Sequence, residues 1–205
     1  MDDKPISPRP TSDDYPTPPE CTRALMSREA FGGPIWEPCA GEGVMADALR
    51  EKHKVFATTY QDTDPRFDAF TSVLGGVDFL EQTTLRGSSI VTNPPYGYLY
   101  GKRDAQAAEK IIWHAISLKP TKLDCFLNLK FMASVRRKNG LFMQHPPARI
   151  YIFSDRPSLY PSGWEGKRTP TTETFAWFVW DWPFIPCGTK IAGLFDSKDF
   201  RKEST

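Results

Sequence analysis

The sequence predicts an α/β fold: a mostly parallel sheet with helices on both faces and an antiparallel strand at the end. Three observations lead there. Short runs of β-branched and aromatic residues alternate with stretches of helical periodicity, the pattern of a covered parallel sheet. Glycine- and proline-bearing turns follow the strand-like runs. The last two such runs are joined by a loop with no long helix in it, which suits an antiparallel hairpin closing the sheet. At 205 residues the chain has room for one domain, expected over residues 15–195 between tails at 1–14 and 196–205.

Residues 18–30 have the proline entry and the Gly32-Gly33 exit of a short helix. Pro-Ile-Trp-Glu at 34–37 is a first strand running into a glycine-bearing turn, and 44–53 resumes helical spacing through Val44, Ala48 and Leu49. Residues 54–60 form a second strand and 76–82 end a short third. The fourth, from Ser88, must stop at Asn93, because Pro94 and Pro95 cannot donate ladder hydrogen bonds. Residues 105–118 are an amphipathic helix with Ile111, Ile112 and Ala115 on one face. A fifth strand covers 123–132, a basic helix 134–143, and late strands 148–155 and 174–182.

Composition removes several classes of function. No apolar run approaches the roughly 20 residues that cross a bilayer, and the acidic, proline-rich N-terminus resembles neither a signal nor a transit peptide, so a cytoplasmic protein without a membrane partner is expected. Cys21, Cys39, Cys125 and Cys187 lie far apart and only three histidines are present, which indicates neither a zinc site nor a disulfide framework; no metal is expected. Net charge is +1, so bulk basicity gives no argument for nucleic acid. Its distribution is uneven: residues 119–149 hold seven Lys or Arg against Asp124 alone, while 31–85 hold nine acids against four bases. That segregation suits a cation held on one side and a polyanion on the other.

Ligands of open α/β sheets sit at the carboxyl ends of the strands, and the chemical candidates fall there. Glu37-Pro38-Cys39-Ala40-Gly41-Glu42-Gly43 follows the first strand; its glycines permit close backbone approach, and its acids suit a ligand with positive charge better than a pyrophosphate. The turn lacks G-x-G-x-x-G, which disfavours a nucleotide-binding oxidoreductase. Asn93-Pro94-Pro95-Tyr96 follows the fourth strand. An Asn side-chain oxygen and a proline-fixed carbonyl can accept the two hydrogens of an exocyclic amine, while Tyr stacks on its ring.

With these motifs in this order, the sequence resembles the S-adenosylmethionine-dependent N6-adenine DNA methyltransferases that carry an Asn-Pro-Pro-Tyr loop, over roughly Tyr15 to Trp182. The resemblance implies a Rossmann-like class I methyltransferase sheet, S-adenosyl-L-methionine as cofactor and adenine-containing DNA as partner. It places Tyr15, Thr17 and Pro18 over the methionine end of the cofactor. Glu37, Pro38, Cys39, Ala40, Gly41 and Gly43 fall beneath it, the acid facing its ammonium region. Asp78 would contact its adenine amine, with Phe79 and Leu80 packed on the ring, and Asn93, Pro94, Pro95 and Tyr96 form the catalytic loop. The chain departs from the family at the end of the second strand, where an acid for the ribose hydroxyls is absent; Asp62 is the candidate a few residues later, with Thr59 or Gln61 as weaker substitutes. No separate target-recognition domain fits in this length, so specificity falls to loops. Tyr98, Tyr100, Lys102 and Arg103 lie in one; Arg156, Tyr160, Trp164, Lys167 and Arg168 lie in another; Lys130, Arg136 and Arg137, with Lys138, supply phosphate contacts. The same motif also serves RNA-base and protein-amide methylation, and a fold kept without turnover would be a nucleic-acid-binding module. Those alternatives stay open at this level, as does the choice between monomer and homodimer.

Overall fold

The computed structural model describes residues 15–61, 73–165, 171–182 and 189–202. The tail expected at 1–14 lies outside them, as do Asp62, Lys167, Arg168 and Cys187. Among the described residues the helices are α1 (Pro19–Met26), α2 (Val44–Arg50), α3 (Ala107–Ser117), α4 (Val135–Asn139) and α5 (Leu141–Gln144). The strands are β1 (Ile35–Glu37), β2 (Val55–Thr58), β3 (Val73–Leu74), β4 (Ser89–Thr92), β5 (Tyr98–Leu99), β6 (Lys102–Arg103), β7 (Lys122–Asn128), β8 (Arg149–Phe153), β9 (Phe175–Asp181) and β10 (Lys190–Phe195).

Eight strands form one sheet in the order β10-β8-β9-β7-β4-β1-β2-β3. β3, β2, β1, β4 and β7 run parallel, each to its neighbour, and β10 runs parallel to β8. β9 is antiparallel to both β7 and β8. The predicted antiparallel pair is therefore present, but β9 wedges between β7 and β8 instead of closing an edge. It is buried from Phe175 to Trp180, as a strand covered on both faces requires.

Each face of the sheet has its own apolar layer. α1 and α2 cover one with Leu25, Met26, Met45 and Leu49 against Phe126, Trp177 and Phe153. α3 and α5 cover the other with Ile111, Ile112 and Leu141 against Trp36, Leu123, Phe178 and Trp180. Trp36 also donates its indole N–H to Thr58 Oγ1 at 2.9 Å, tying β1 to β2.

Several boundaries differ from the sequence expectation for local reasons. The first helix ends at Met26, not at 30. The third strand is Val73–Leu74, while Phe79–Glu81 is a 3-10 turn that Asp78 caps through Leu80 N. The fifth strand stops at Asn128, whose side chain accepts from Lys130 N and starts another 3-10 turn. The basic helix is broken at Gly140 into α4 and α5. β10 and the hairpin β5–β6 were not anticipated. The segment expected as a C-terminal tail carries a 3-10 turn at Ser197–Phe200, with Ser197 buried and Arg201 paired to Glu20 of α1. No helix among the described residues is long and apolar enough to cross a membrane.

Candidate functional site

β1 is the pivot of the topology: β2 and β3 lie to one side of it and β4 to the other, so the chain reverses direction across the sheet at the β1/β4 boundary. Such a switch opens a crevice at the strands' carboxyl ends. The turn after β1 is held there by Ala40 N donating to Thr58 O at 3.0 Å and Gly43 N to Ala40 O at 2.7 Å. Gly41 and Gly43 have φ of 50° and 84°, in the left-handed region that glycine adopts at no steric cost.

The crevice contains a cavity of about 720 Å³. Its walls are Pro38, Cys39 and Gly41 from the first turn, Thr59, Tyr60 and Gln61 after β2, and Gly76, Val77 and Phe79 after β3. Asn93 and Pro95 after β4 and Tyr98 to Gly101 on the hairpin complete it, with Ile111 of α3 beneath. A narrower cleft shares Cys39, Gly41 and Asn93 with it and is lined further by Tyr15, Thr17, Glu37 and Ala40. The turn after β1, the segment from Tyr15 and the loop from Asn93 thus meet at one place, although they are far apart in sequence.

Three polar side chains there bury an oxygen without a partner among the described residues: Thr17 Oγ1, Glu37 Oε2 and Asn93 Oδ1. Each such atom carries a desolvation cost of roughly 1 to 3 kcal/mol, which a ligand donor would remove. Glu37 closes β1, is 2% exposed, and is pushed up to about 8 by burial, with Arg50 opposing and Asp47 adding to the shift. Burial also drives the Cys39 thiol up to about 12, so it is no nucleophile at neutral pH. Asn93 is oriented: its Nδ2 donates to the Tyr15 carbonyl at 3.0 Å, which leaves Oδ1 as the atom offered to a ligand.

The remaining expected site residues take varied places. Pro18 caps α1, Pro94 is buried, and Phe79, 3% exposed, meets Trp36 edge to face at 5.1 Å while lining the cavity. Leu80 packs on the core beneath it. Asp78 accepts from Leu80 N and from the Tyr100 hydroxyl and is not itself a cavity wall. The Tyr96 hydroxyl donates to the Phe126 carbonyl at 2.8 Å, anchoring the ring on β7. Lys102 and Arg103 are exposed on β6. The basic segment is largely committed elsewhere. Lys130 pairs with Glu173 at 2.7 Å and Arg136 with Glu109 at 2.6 Å. Arg137 donates to the Phe131 carbonyl at 2.6 Å and lies 4.3 Å over that residue's ring. Arg156 stands exposed with φ of 51°, and Trp164 stacks on Tyr160 at 6.1 Å. Tyr60 and Ile111 are cavity residues that sequence reasoning passed over; the signal for Tyr60 was its place directly after β2.

No family profile and no curated protein matches the sequence. Solved structures do. One assigned as an RNA methyltransferase from Pyrococcus horikoshii is 15% identical over 86% of this chain and 90% of its own, with a TM-score of 0.57. One assigned as a class I S-adenosylmethionine-dependent methyltransferase from Listeria monocytogenes is 11% identical over 95% of this chain and 69% of its own, at 0.60. A third, assigned as the modification subunit of a type I restriction enzyme from Vibrio vulnificus, is 12% identical over 86% of this chain and 45% of its own, at 0.52. Likeness at this level of identity establishes the architecture alone: a Rossmann-like α/β fold of the kind these methyltransferases have.

Proposed function

We propose that this chain transfers a methyl group from S-adenosyl-L-methionine to the exocyclic N6 amine of adenine in DNA. The observation that carries the reading is Asn93 Oδ1: a buried acceptor without a partner, turned away from Tyr15 by the bond its own amide makes, at the junction of the two cavities. An amine nitrogen seated there would have a hydrogen to give and a methyl to receive.

The residues present fit the cofactor. Glu37 Oε2 and Thr17 Oγ1 are acceptors in search of donors, as an amino-acid ammonium would supply, and Gly41 lets the backbone pass close beneath. The wider cavity has aromatic and apolar walls in Tyr60, Val77 and Phe79, suited to a purine, and Gln61 and Thr59 in place of a ribose acid. When bound, S-adenosylmethionine supplies a methyl already activated on a sulfonium, so the protein's task is alignment. Asn93 Oδ1 and the Pro94 carbonyl accept the two N6 hydrogens, drawing the nitrogen lone pair out of conjugation with the ring. Tyr96, its ring fixed by the hydroxyl bond to Phe126, serves as the platform for an extruded base, since N6 cannot be reached inside a duplex. No general base is needed beyond water, because the proton leaves a cationic nitrogen.

Nucleic acid as the acceptor class is supported by the exposed bases Lys102 and Arg103, on the hairpin that follows the catalytic loop, and by the assignments of the neighbours from P. horikoshii and V. vulnificus. The test is nucleoside mass spectrometry after incubating the protein and S-adenosylmethionine with adenine-containing DNA and, separately, RNA. N6-methyladenine is expected in DNA with wild type and not with Asn93→Ala, which should retain cofactor binding. Methylation of RNA alone would reassign the acceptor, and turnover by Asn93→Ala would remove the role given to that residue.

A further inference from the structure

The carboxylate that the family resemblance assigns to the cofactor's adenine, Asp78, already has a donor from within the chain. Asp78 precedes the 3-10 turn Phe79–Glu81, and its carboxylate takes the Leu80 amide at 2.8 Å as a local cap. Its second donor, the Tyr100 hydroxyl, comes from 22 residues away on the tip of the β5–β6 hairpin. The Tyr100 ring lies 4.2 Å from that of Tyr60, the aromatic residue just past β2, and forms cavity wall where Asp78 does not. Burial and the neighbouring carboxylate hold the Tyr100 phenol above its ordinary range, so it stays a donor at any working pH.

The hairpin adopts this arrangement under strain. Tyr98 pairs with Arg103 and Leu99 with Lys102, leaving Tyr100 and Gly101 as a two-residue turn. Both have positive φ, 54° and 74°, as a mirror-image turn requires; glycine adopts it freely and tyrosine does not. The contacts to Asp78 and Tyr60 compensate. At its base the hairpin is pinned by Asp104 N donating to Gly97 O at 2.8 Å, so motion is confined to the six residues between.

We propose that Tyr100 is a built-in stand-in for the cofactor's adenine: a ring against Tyr60 and a hydroxyl on Asp78, where the purine would set its own ring and its exocyclic amine. The inference rests on the cofactor reading above. The cofactor enters the adenine subsite only by expelling Tyr100, and its binding frees the hairpin that carries Lys102 and Arg103. Because β5 begins two residues after Tyr96, the freed segment borders the place where the acceptor base arrives. Cofactor therefore binds first, and the hairpin becomes available to the polyanion as a consequence.

Calorimetric titration with S-adenosylhomocysteine tests this without turnover. Tyr100→Phe keeps the ring and removes the competing hydroxyl; binding is expected to tighten about five- to tenfold, the worth of one hydrogen bond to a carboxylate partly open to solvent. In an Asp78→Asn background, adding Tyr100→Phe should bring no comparable gain. Limited trypsin digestion reads the hairpin directly: cleavage after Lys102 or Arg103 should accelerate when S-adenosylhomocysteine is added to wild type, and should be fast in Tyr100→Phe without it. Unchanged or weaker binding by Tyr100→Phe, with wild type binding normally, overturns the stand-in role and leaves the cofactor reading intact. Absence of binding by both proteins overturns the cofactor reading and this inference with it.

Discussion

Glu37 makes the cofactor reading measurable through protons. Its carboxyl ends β1 at 2% exposure, and burial lifts it from an ordinary 4.5 to about 8. Between those values the folded, ligand-free protein holds one proton more than the unfolded chain, so the Glu37 contribution to stability is full below pH 4.5 and is lost as pH rises toward 8. A displacement of that size corresponds to on the order of 5 kcal/mol between pH 4 and pH 9. A ligand ammonium against Oε2 favours the charged form and reverses this: binding near pH 7 expels the proton, and affinity rises up to about tenfold per pH unit until the carboxyl titrates. Titration calorimetry with S-adenosylhomocysteine at pH 7, in buffers of differing ionisation enthalpy, should report close to one proton released per ligand bound. Glu37→Gln should abolish the release, flatten the affinity profile between pH 5.5 and 7.5, and raise the ligand-free melting temperature at pH 8. Proton-neutral binding by wild type, or a slope that survives in Glu37→Gln, would refute the assignment of the cation to this carboxylate.

Asn93→Asp should lose methylation and about 1 to 3 kcal/mol of stability, measured by product mass spectrometry and urea unfolding, because it sets a carboxylate oxygen where Nδ2 now donates to the Tyr15 carbonyl at 3.0 Å. Asp124 is fully buried in β7 with both oxygens unpartnered, and burial, with Glu29 adding and Lys122 and Arg149 opposing, raises it well above 3.8. Its contribution is likewise lost as pH rises above that ordinary value, so Asp124→Asn should gain roughly 1 to 3 kcal/mol at pH 8 and little at pH 4 in denaturant titrations. Replacing Lys102 and Arg103 with Ala should reduce the salt slope of DNA binding by about 1.5 to 2, whereas Arg137→Ala should lower the melting temperature and leave that slope unchanged, as fluorescence anisotropy across salt concentrations would show.

What was legible in the sequence was local. Val55 to Thr58 and Ser89 to Thr92 announce strands by their side chains, Pro94 and Pro95 end one by lacking donors, and Gly41 and Gly43 occupy backbone conformations that favour glycine. What was not legible depends on partners distant in the chain. Lys190–Phe195 contains Gly193 and exposes Ile191 and Leu194, and becomes a strand through its ladder with β8. β9 reads as a hairpin partner of β8, yet its second neighbour, β7, lies beyond α4 and α5 in sequence, and no periodicity encodes that insertion. At the site, the turn after β1 and the Asn93–Tyr96 loop were visible as motifs, while the Asn93 bond to Tyr15 spans 78 residues and is a property of the fold alone.

The charge pattern shows that a count along the sequence does not tell which cations already have an anion. The basic stretch from 119 to 149 suggested a phosphate surface, yet several of its members meet acids from outside the stretch. Lys122 and Arg149 converge on Glu29, at 2.5 and 2.7 Å, Arg136 meets Glu109, and Lys130 meets Glu173. Lys122 and Arg149 open β7 and β8, at the pole opposite the crevice, where they offset Glu29, the buried acid of α1's trailing loop. A cation already paired has less to gain from a phosphate than an exposed one, because it must give up one anion to take another. The bases best placed for a polyanion are then Lys102 and Arg103, two residues that contribute little to any composition window. Their position gives them weight: they share a hairpin with Tyr100, so the element proposed to meet the nucleic acid is the one whose tip lines the wider cavity.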